Sequence, residues 1–174
     1  MTKKRGLFVG RFQPYHNGHH NALLNALKEV DEIIIVVGSA AQSHTMQNPF
    51  TCGERIEMIS RALKEKNVFE KCFIIPLEDV NQNELWVSKV MSYTPKFGEV
   101  FTNNPLVKQL FEARGLKVKK MVSNQKHIDG KMIREKMLKG NNCEEFIPKS
   151  ILDYLQKINA LERLNAIVEK EEKQ

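Results

Sequence analysis

Short apolar runs alternate with longer amphipathic stretches along the chain, and this alternation predicts strands that alternate with helices. Five of the runs have the length and the composition of strands. They cover residues 7–9, 32–38, 72–76, 99–102 and 117–122. The second run contains the β-branched stretch Ile33 to Val37, which is typical of a parallel strand covered on both faces.

Between these runs, apolar residues recur at spacings of three and four, which predicts helices. The first pattern consists of Ala22, Leu23, Ala26, Leu27 and Val30. Further helices are predicted after residue 51, over 85–93, from 105 to about 115, from 127 to about 140 and from 148 to about 170. Thr51 and Glu54 fit a capping box, so Glu54 is interpreted as a capping residue rather than a catalytic acid. Asn104 before Pro105 is typical of a helix start.

This order of elements predicts an α/β fold, a doubly wound parallel sheet of five strands. The connection between the first two strands should be a right-handed crossover. No internal repeat, low-complexity segment or linker divides the chain. We therefore expect a single domain over residues 1–174, with a C-terminal helix.

Composition and charge narrow the possible classes of protein. The 174 residues are 41% hydrophobic and 28% charged, with a net charge of +6 and a pI near 9.2, which suits polyanionic ligands such as nucleotides. The three cysteines form no CxxC pair, which favours a reducing cytoplasm over a disulfide framework or a zinc site. We expect no signal peptide, no membrane span and no nucleic-acid partner, since no RNP-type aromatic motif is present.

Most of the candidate functional residues follow the first predicted strand. Gly10 should allow a sharp turn and a close approach to a ligand, and Arg11 comes next. His16, Gly18 and His19 then stand directly before the first helix. A helix N-terminus attracts anions, so two imidazoles and an arginine beside it suit a polyphosphate. The alternatives are packing residues or an adventitious metal pair, although no third ligand of the type that zinc sites use lies nearby.

Two polar segments follow later strands. The loop at residues 39–48 follows strand two, at the carboxyl edge of the sheet where ligands bind in open α/β folds. A second loop, residues 79–83, follows strand three and leads into a helix whose first turn carries Trp86. On residues alone, a buried core position and a ligand-stacking position are about equally good interpretations of this indole.

The segment GRFQPYHNGH at 10–19 closely resembles the GRFQPxHxGH signature of the nucleotidylyltransferase superfamily. The rest of the chain resembles the archaeal-type nicotinamide mononucleotide (NMN) adenylyltransferases. The segments that carry this likeness are GSAAQSH at 38–44, NPFTCGER at 48–55, PLEDVNQNELWV at 76–87 and NNPLV at 103–107. The resemblance implies a Rossmann-like strand order of 3-2-1-4-5. It also implies transfer of the adenylyl group of ATP to NMN, giving NAD and pyrophosphate, with Mg²⁺ and in a homo-hexamer.

The resemblance also implies roles for single residues. The catalytic set would be His16, His19, Arg11 and Arg134, with no metal ligands from the protein. The ATP-binding set would be Gly10, Phe12, Gly18, Asn104 and Lys131. The NMN-binding set would be Ser39, Asp79, Asn83 and Trp86. An indole face suits the cationic pyridinium ring of NMN, which it can hold by stacking and cation–π attraction.

The sequence departs from the family pattern at three positions. The second family signature, I-S-x-T-x-x-R, reads here as residues 128–134, with Asp129 in place of serine and Lys131 in place of threonine. Asp129 can still cap the helix, and Lys131 can offset its charge near a phosphate. Gln47 stands where relatives have an arginine. Two other functions stay open, a sister nucleotidylyltransferase acting on pantetheine phosphate or FMN, and a non-enzymatic nucleotide or RNA binder.

Overall fold

A parallel sheet of five strands, in the order β3-β2-β1-β4-β5, organises the structure. In this computed structural model, residues 3–80, 82–122 and 128–173 are described. The strands are β1 (Arg5–Gly10), β2 (Glu32–Val37), β3 (Cys72–Pro76), β4 (Glu99–Phe101) and β5 (Lys117–Lys119). All four pairings are parallel. The predicted doubly wound α/β fold and its strand order are confirmed.

Helices connect the strands and cover both faces of the sheet. They are α1 (Asn17–Ala26), α2 (Cys52–Glu65), α3 (Asn83–Tyr93), α4 (Pro105–Glu112), α5 (Gly130–Leu138), α6 (Lys149–Lys157) and α7 (Ala160–Glu171). The predicted capping box is confirmed, because Thr51 accepts a hydrogen bond from the Glu54 N–H and Glu54 accepts one from the Thr51 N–H. None of the helices in the described part of the chain is both long and apolar enough to span a bilayer.

The interior strand β2, between β3 and β1, shows how apolar layers form on both faces of the sheet. Every residue of β2 is buried, as the continuous apolar run predicts. Ile33 and Ile35 belong to the apolar layer that contains α1, α2, α5 and α6, whereas Ile34 and Val36 belong to the layer under α3 and α4. Burying each such side chain stabilises the fold by about 1.5–3 kcal/mol. The sheet is thus covered on both faces by packed helices. The loops at the carboxyl ends of its strands are therefore the part that can bind a ligand.

The opposite, amino edge of the sheet is closed by ion pairs. The nearly buried carboxylate of Glu32 pairs with Lys3 and with Arg5, the latter at 2.7 Å. Glu99 lies 2.9 Å from the amine of Lys119 and 3.4 Å from that of Lys117. The hydrogen bonds from Lys3 and Arg5 lower the pKa of the Glu32 carboxyl. These charges satisfy one another and explain part of the basic composition without a ligand.

The predicted C-terminal helix is wrong in one respect, because it is broken into α6 and α7. Asn159 lies between them in the left-handed region, with φ of 50°, a conformation that Asn adopts more readily than most residues. The apolar spacing continues through the break, so periodicity alone could not reveal it, and Leu161 is 44% exposed. Strand β5 also ends at Lys119 rather than at residue 122. The predicted start of a helix at His127 lies outside the described residues, and α5 begins at Gly130.

Candidate active site

The N-terminus of α1 lies at the carboxyl end of β1, and His16 is its N-cap residue. The backbone of His16 is extended, and its Nδ1 accepts a hydrogen bond from the N–H of His19 at 3.3 Å. A neutral imidazole has one protonated nitrogen, so a ring that accepts at Nδ1 carries its proton on Nε2. The helix cap thereby sets the tautomer and leaves Nε2 of His16 as a donor.

His19 is held between aromatic rings. The imidazole of His16 stacks on it with ring centroids 3.6 Å apart, and the phenol of Tyr15 lies 5.5 Å away at an interplanar angle of 27°. Phe12 approaches it edge-on at 4.9 Å. Nδ1 of His19 is buried and makes no hydrogen bond with any described residue. The ring is therefore fixed by packing, while a buried polar atom is left unsatisfied, which is uncommon in folded proteins.

Both histidines are neutral at neutral pH. Burial lowers the pKa of His16 to about 4, although the charge of Asp129 acts in the opposite direction. Burial also lowers the pKa of His19 well below its ordinary value, and His16 lowers it further. The formal positive charge at this site therefore comes from arginines, and the imidazoles contribute neutral hydrogen-bond donors.

Helix α5 brings Arg134 to the same place. Its guanidinium is almost buried, Nη1 donates to the carbonyl oxygen of Gln13 at 2.7 Å, and Nε has no partner among the described residues. A Cβ on Gly130 would lie 2.6 Å from that carbonyl oxygen, so the close approach of α5 to the Gln13–Pro14 turn requires glycine. Arg134 and His16, which are far apart in sequence, thus flank one turn.

The glycines of the first motif also allow close packing beneath the site. Gly10 ends β1 without a positive φ, and the left-handed backbone of the turn that follows lies at Phe12 instead. A Cβ on Gly10 would lie 2.7 Å from the ring of Phe12, and one on Gly18 would lie 3.0 Å from the ring of His16. Phe12 itself has φ of 55° and its ring is buried in the core, so only its backbone is available to a nucleotide. Both glycines are needed for packing beneath the site.

The residues predicted to bind NMN form a second group beside the first. The carboxylate of Asp79 accepts hydrogen bonds from the Ser39 N–H and from the Gln42 side chain, both at 3.3 Å. Asn83 is exposed at the first position of α3. Trp86 is partly buried and packs edge-on against Phe111, with centroids 5.7 Å apart. Trp86 thus packs against the core, as one of the two interpretations predicts, without being fully buried.

Three further predicted residues lie at helix starts. Asn104 caps α4 by accepting from the N–H groups of Leu106 and Val107. Asp129 caps α5 by accepting from the Met132 N–H at 2.8 Å, as predicted. The Lys131 side chain is 79% exposed and lies 3.9 Å from the Glu135 carboxylate. The Glu135 carboxylate therefore holds this ammonium only weakly, because an exposed pair of this kind contributes little.

Sequence analysis missed two buried residues that connect the loops of the site. The Gln13 side chain accepts from the Phe50 N–H at 2.9 Å and donates to the Phe50 carbonyl at 3.0 Å. Arg55, on α2, is fully buried and donates to four main-chain carbonyls. Both lie in segments that carry the family likeness, which was the available signal. Arg55 was overlooked because an arginine in an amphipathic helix usually lies at the surface.

The donor set limits how a metal could bind. In residues 3–80, 82–122 and 128–173, no group of three or more His, Cys, Asp or Glu side chains could hold a metal ion. Asp129 is the carboxylate whose charge acts on His16, and it already caps α5. Mg²⁺ commonly keeps several waters and binds through substrate phosphates. A divalent ion fits here in that form, carried by a nucleotide rather than by a protein cage.

Comparison with known proteins identifies relatives over nearly the whole chain. A family model described as cytidylyltransferase-like matches residues 7–147. A protein of Archaeoglobus fulgidus named nicotinamide-nucleotide adenylyltransferase is 47% identical over 168 residues, covering 94% of this chain and 97% of that protein. The protein of the same name from Pyrococcus horikoshii is 49% identical over 161 residues, covering 92% of this chain and 87% of that protein.

Solved structures share the fold at low sequence identity. A bifunctional NMN adenylyltransferase/ADP ribose pyrophosphatase from Francisella tularensis superposes with a TM-score of 0.86 at 20% identity, covering 98% of this chain. This chain spans about half of that protein, 54% of its length. A second structure of the Francisella protein, complexed with AMP and a manganese ion, gives a TM-score of 0.84 at 22% identity. With relatives of 47% and 49% identity over most of its length, the chain belongs to the nicotinamide-nucleotide adenylyltransferases, within the cytidylyltransferase-like family.

Proposed function

We propose that this chain transfers the adenylyl group of ATP to nicotinamide mononucleotide, releasing pyrophosphate and forming NAD. The observation that carries the proposal is the pair of neutral histidines at the N-terminus of α1, with Arg134 beside them, in a chain 47% identical to a nicotinamide-nucleotide adenylyltransferase. The similarity to this relative identifies the reaction, and the residues at the site have the chemistry that the reaction requires.

The reaction needs positioning and charge stabilisation more than acid–base chemistry. An oxygen of the NMN 5′-phosphate, already anionic at neutral pH, attacks the α-phosphorus of ATP. The bond between that phosphorus and the bridging oxygen breaks, and its electron pair leaves with pyrophosphate. No serine, cysteine or general base is required. The protein must bring two anions together and stabilise the charge that develops on the α-phosphoryl group and the leaving group.

The proposed ATP site uses the N-termini of α1 and α5. His16 donates from Nε2, and His19 contacts the α-phosphate more directly, while Arg11 and Arg134 neutralise the outer phosphates. Neutral imidazoles can donate without repelling the arginines. The backbone at Gly10, Phe12 and Gly18 and the side chains of Asn104 and Lys131 complete the ATP-binding set.

The proposed NMN site lies along the loops after β2 and β3. Trp86 stacks on the pyridinium ring, Asn83 offers an amide to the carboxamide or ribose, and Ser39 and Asp79 border the same pocket. The hydrogen bond between the Ser39 N–H and Asp79 supports this placement, because it joins the two loops. A cationic ring stacked on an indole gains about 0.5–2 kcal/mol.

We propose Mg²⁺ as the metal, bound to the phosphates of ATP. The Francisella protein, which shares this fold over about half of its length, was solved in complex with AMP and a manganese ion, and this supports a divalent ion. Such an ion neutralises phosphate charge and orients the leaving group. The protein's own part is then to bind the phosphates through Arg11, Arg134 and the histidines, and Lys131 contributes a further cation in place of the threonine of the family pattern. Gln47, which is exposed, contributes no charge where relatives have arginine.

We also propose that the chain acts as a homo-oligomer, a hexamer by family resemblance, in the cytoplasm. The free thiols of Cys52, Cys72 and Cys143 support a reducing compartment. Light scattering on the purified chain tests the assembly, and a monomer at micromolar concentration would contradict it.

The decisive experiment measures pyrophosphate release from ATP with NMN, nicotinic acid mononucleotide, pantetheine phosphate or FMN as acceptor. We expect release with a pyridine mononucleotide and none with the other two, and the comparison of the two pyridines identifies the preferred form. His19→Ala is the inactive control. Release with pantetheine phosphate or FMN would indicate a sister nucleotidylyltransferase. ATP binding without release from any acceptor would indicate a binding protein.

A further inference from the structure

Arg55 is a fully buried arginine beneath the site, and the mechanism above does not use it. Its Nη1 donates to the carbonyl oxygens of Gly38 at 2.7 Å and Arg11 at 2.9 Å, and its Nη2 donates to that of Ser39 at 3.0 Å. Its Nε donates to Thr51, one turn earlier in the chain, at 3.2 Å. The guanidinium therefore joins the end of β1, the end of β2 and the start of α2.

No carboxylate of the described residues pairs with this cation. Burial lowers the pKa of Arg55 most, while Cys52 and Asp79 act in the opposite direction, and Asp79 makes no salt bridge with it. A buried charge without an opposite partner is costly, and hydrogen bonds to carbonyl dipoles offset only part of that cost. A side chain that served only to fill space could be apolar. The positive charge of Arg55 and the several N–H donors of its guanidinium therefore need another explanation.

The carbonyls that Arg55 holds belong to both halves of the proposed site. A trans peptide unit is planar, and its C=O and N–H point in opposite directions. Because Arg55 holds the Gly38 carbonyl, the Ser39 N–H points the other way, and there it donates to Asp79. One peptide unit is thus held at one end by Arg55 and at the other by a residue of the NMN group.

The Arg11–Phe12 peptide unit has the same arrangement on the ATP side. Arg55 holds the Arg11 carbonyl, so the Phe12 N–H points away from the guanidinium, and it donates to no described residue. Phe12 keeps a φ of 55°, which is unfavourable for an aromatic residue and persists only when its surroundings enforce it. Arg55 is one of the groups that enforce it, since it turns the carbonyl dipole inward and leaves the N–H for an anion.

We propose that Arg55 is a positioning residue that orients the ATP-binding and NMN-binding loops together. The proposal rests on the proposed function for the identity of the two ligands. In the folded protein the guanidinium keeps three carbonyl oxygens out of the phosphate region and ties the two loops to one rigid helix. Binding of either substrate therefore stabilises the Arg55 contacts that also hold the loop of the other substrate.

The test compares Arg55→Lys with two control variants. Lysine keeps the charge but cannot reproduce the planar fork, so it loses part of the carbonyl contacts. Arg61→Lys changes the same residue type on the same helix, where Arg61 pairs with Glu57 at the surface. Leu63→Ala destabilises the same helix through its buried face without touching a carbonyl of the site. Calorimetry of ATP and NMN binding, steady-state kinetics and the thermal midpoint are measured for each, at a temperature where all are folded.

We expect Arg55→Lys to lower kcat by about 10–100-fold and to weaken both ATP and NMN, since misplaced loops are costly to a reaction that depends on positioning. Arg61→Lys should match the wild type, and Leu63→Ala should lose thermal stability with binding and kcat unchanged. The proposal is overturned if Arg55→Lys behaves like Leu63→Ala, or if it weakens only one of the two substrates.

A measurement on the wild-type chain covers the case in which Arg55→Lys does not fold. ATP alone should slow hydrogen exchange of the Ser39 amide, which is bonded to Asp79 rather than to ATP, and an unchanged exchange rate would overturn the proposal. Failure of the proposed function is recognised separately. The wild type would then release no pyrophosphate with any acceptor, while the ATP-binding comparison of Arg55→Lys with Arg61→Lys would still decide the role of Arg55.

Discussion

The imidazole of His16 caps the helix that carries His19, and the two rings stack on each other. The Nδ1 of His16 accepts the His19 N–H at 3.3 Å, and the ring centroids are 3.6 Å apart. One contact thus serves both the start of α1 and the orientation of the site. The observed helix cap and the proposed phosphate contact use different nitrogens of the His16 ring, so substitution can separate the two roles.

Changing His16 to serine should preserve the helix cap and remove the phosphate donor. Serine is a good N-cap, so the free energy of unfolding should stay closer to the wild type than in His16→Ala, which loses about 0.5–2 kcal/mol of capping. Both variants should lose on the order of 10²–10³ in kcat, because neither hydroxyl nor methyl reaches the phosphate. Urea unfolding and steady-state kinetics measure the two effects. Full activity in His16→Ser would show that the ring acts only as a cap.

Changing Trp86 to alanine should weaken NMN while leaving ATP binding unchanged. Loss of the indole removes a stacking and cation–π surface worth roughly 1–2 kcal/mol. The matched control is Phe97→Ala, because Phe97 also packs edge-on against Phe111, at 6.2 Å. Calorimetry with each ligand should show weaker NMN binding only in Trp86→Ala. If both variants lose stability alike and both bind NMN normally, Trp86 serves only the core.

Changing Lys131 to alanine should raise the KM for ATP, because an exposed ammonium at the start of α5 would no longer reach the phosphates. The loss should be partly recovered in Asp129→Ser/Lys131→Thr, which removes the negative charge as well, and such non-additivity is expected of groups that share a ligand. Lys139→Ala, at the other end of α5, is the control. Strictly additive ATP kinetics in the double variant would mean that Lys131 points to solvent throughout.

Acid should destabilise the fold in a pH range set by buried histidines. Burial lowers the pKa of both His16 and His20 to about 4, below their ordinary value. At these two histidines the unfolded chain therefore binds more protons between about pH 6.5 and 4. Their contribution to the free energy of unfolding is constant above this range and falls within it as the pH falls. Each histidine contributes a slope of up to about 1.4 kcal/mol per pH unit. Urea unfolding should show a smaller slope in His20→Gln, and an unchanged slope would contradict the assignment.

Removing divalent metal should abolish turnover without unfolding the protein. The described residues hold no cluster of three potential metal ligands, so the thermal midpoint should be the same with and without EDTA. Pyrophosphate release should stop with EDTA and return with Mg²⁺, since the ion neutralises phosphate charge. A midpoint that falls on chelation would reveal a structural metal, and turnover that persists in EDTA would rule out the proposed requirement.

Most secondary-structure elements and several site residues were predictable because they depend on local patterns in the sequence. The β-branched stretch of β2, the capping residues Thr51 and Asn104, and the histidines at the start of α1 depend on neighbours only a few positions away. Strand order came from resemblance, since no local spacing encodes it. The break at Asn159 was not predicted because the apolar spacing continues across it. A single residue with a positive φ does not change that spacing.

Only the tertiary structure decided which distant groups meet. Arg134 donates to a carbonyl 121 positions away, and Arg55 reaches Gly38 across 17 positions. Such contacts depend on how helices pack on the sheet, and main-chain carbonyls carry no residue identity for a pattern to detect. By itself, the sequence determined which residue types stand at the carboxyl edge of the sheet. Their tautomers, burial and shared partners followed from packing, because each is set by atoms from several elements at once.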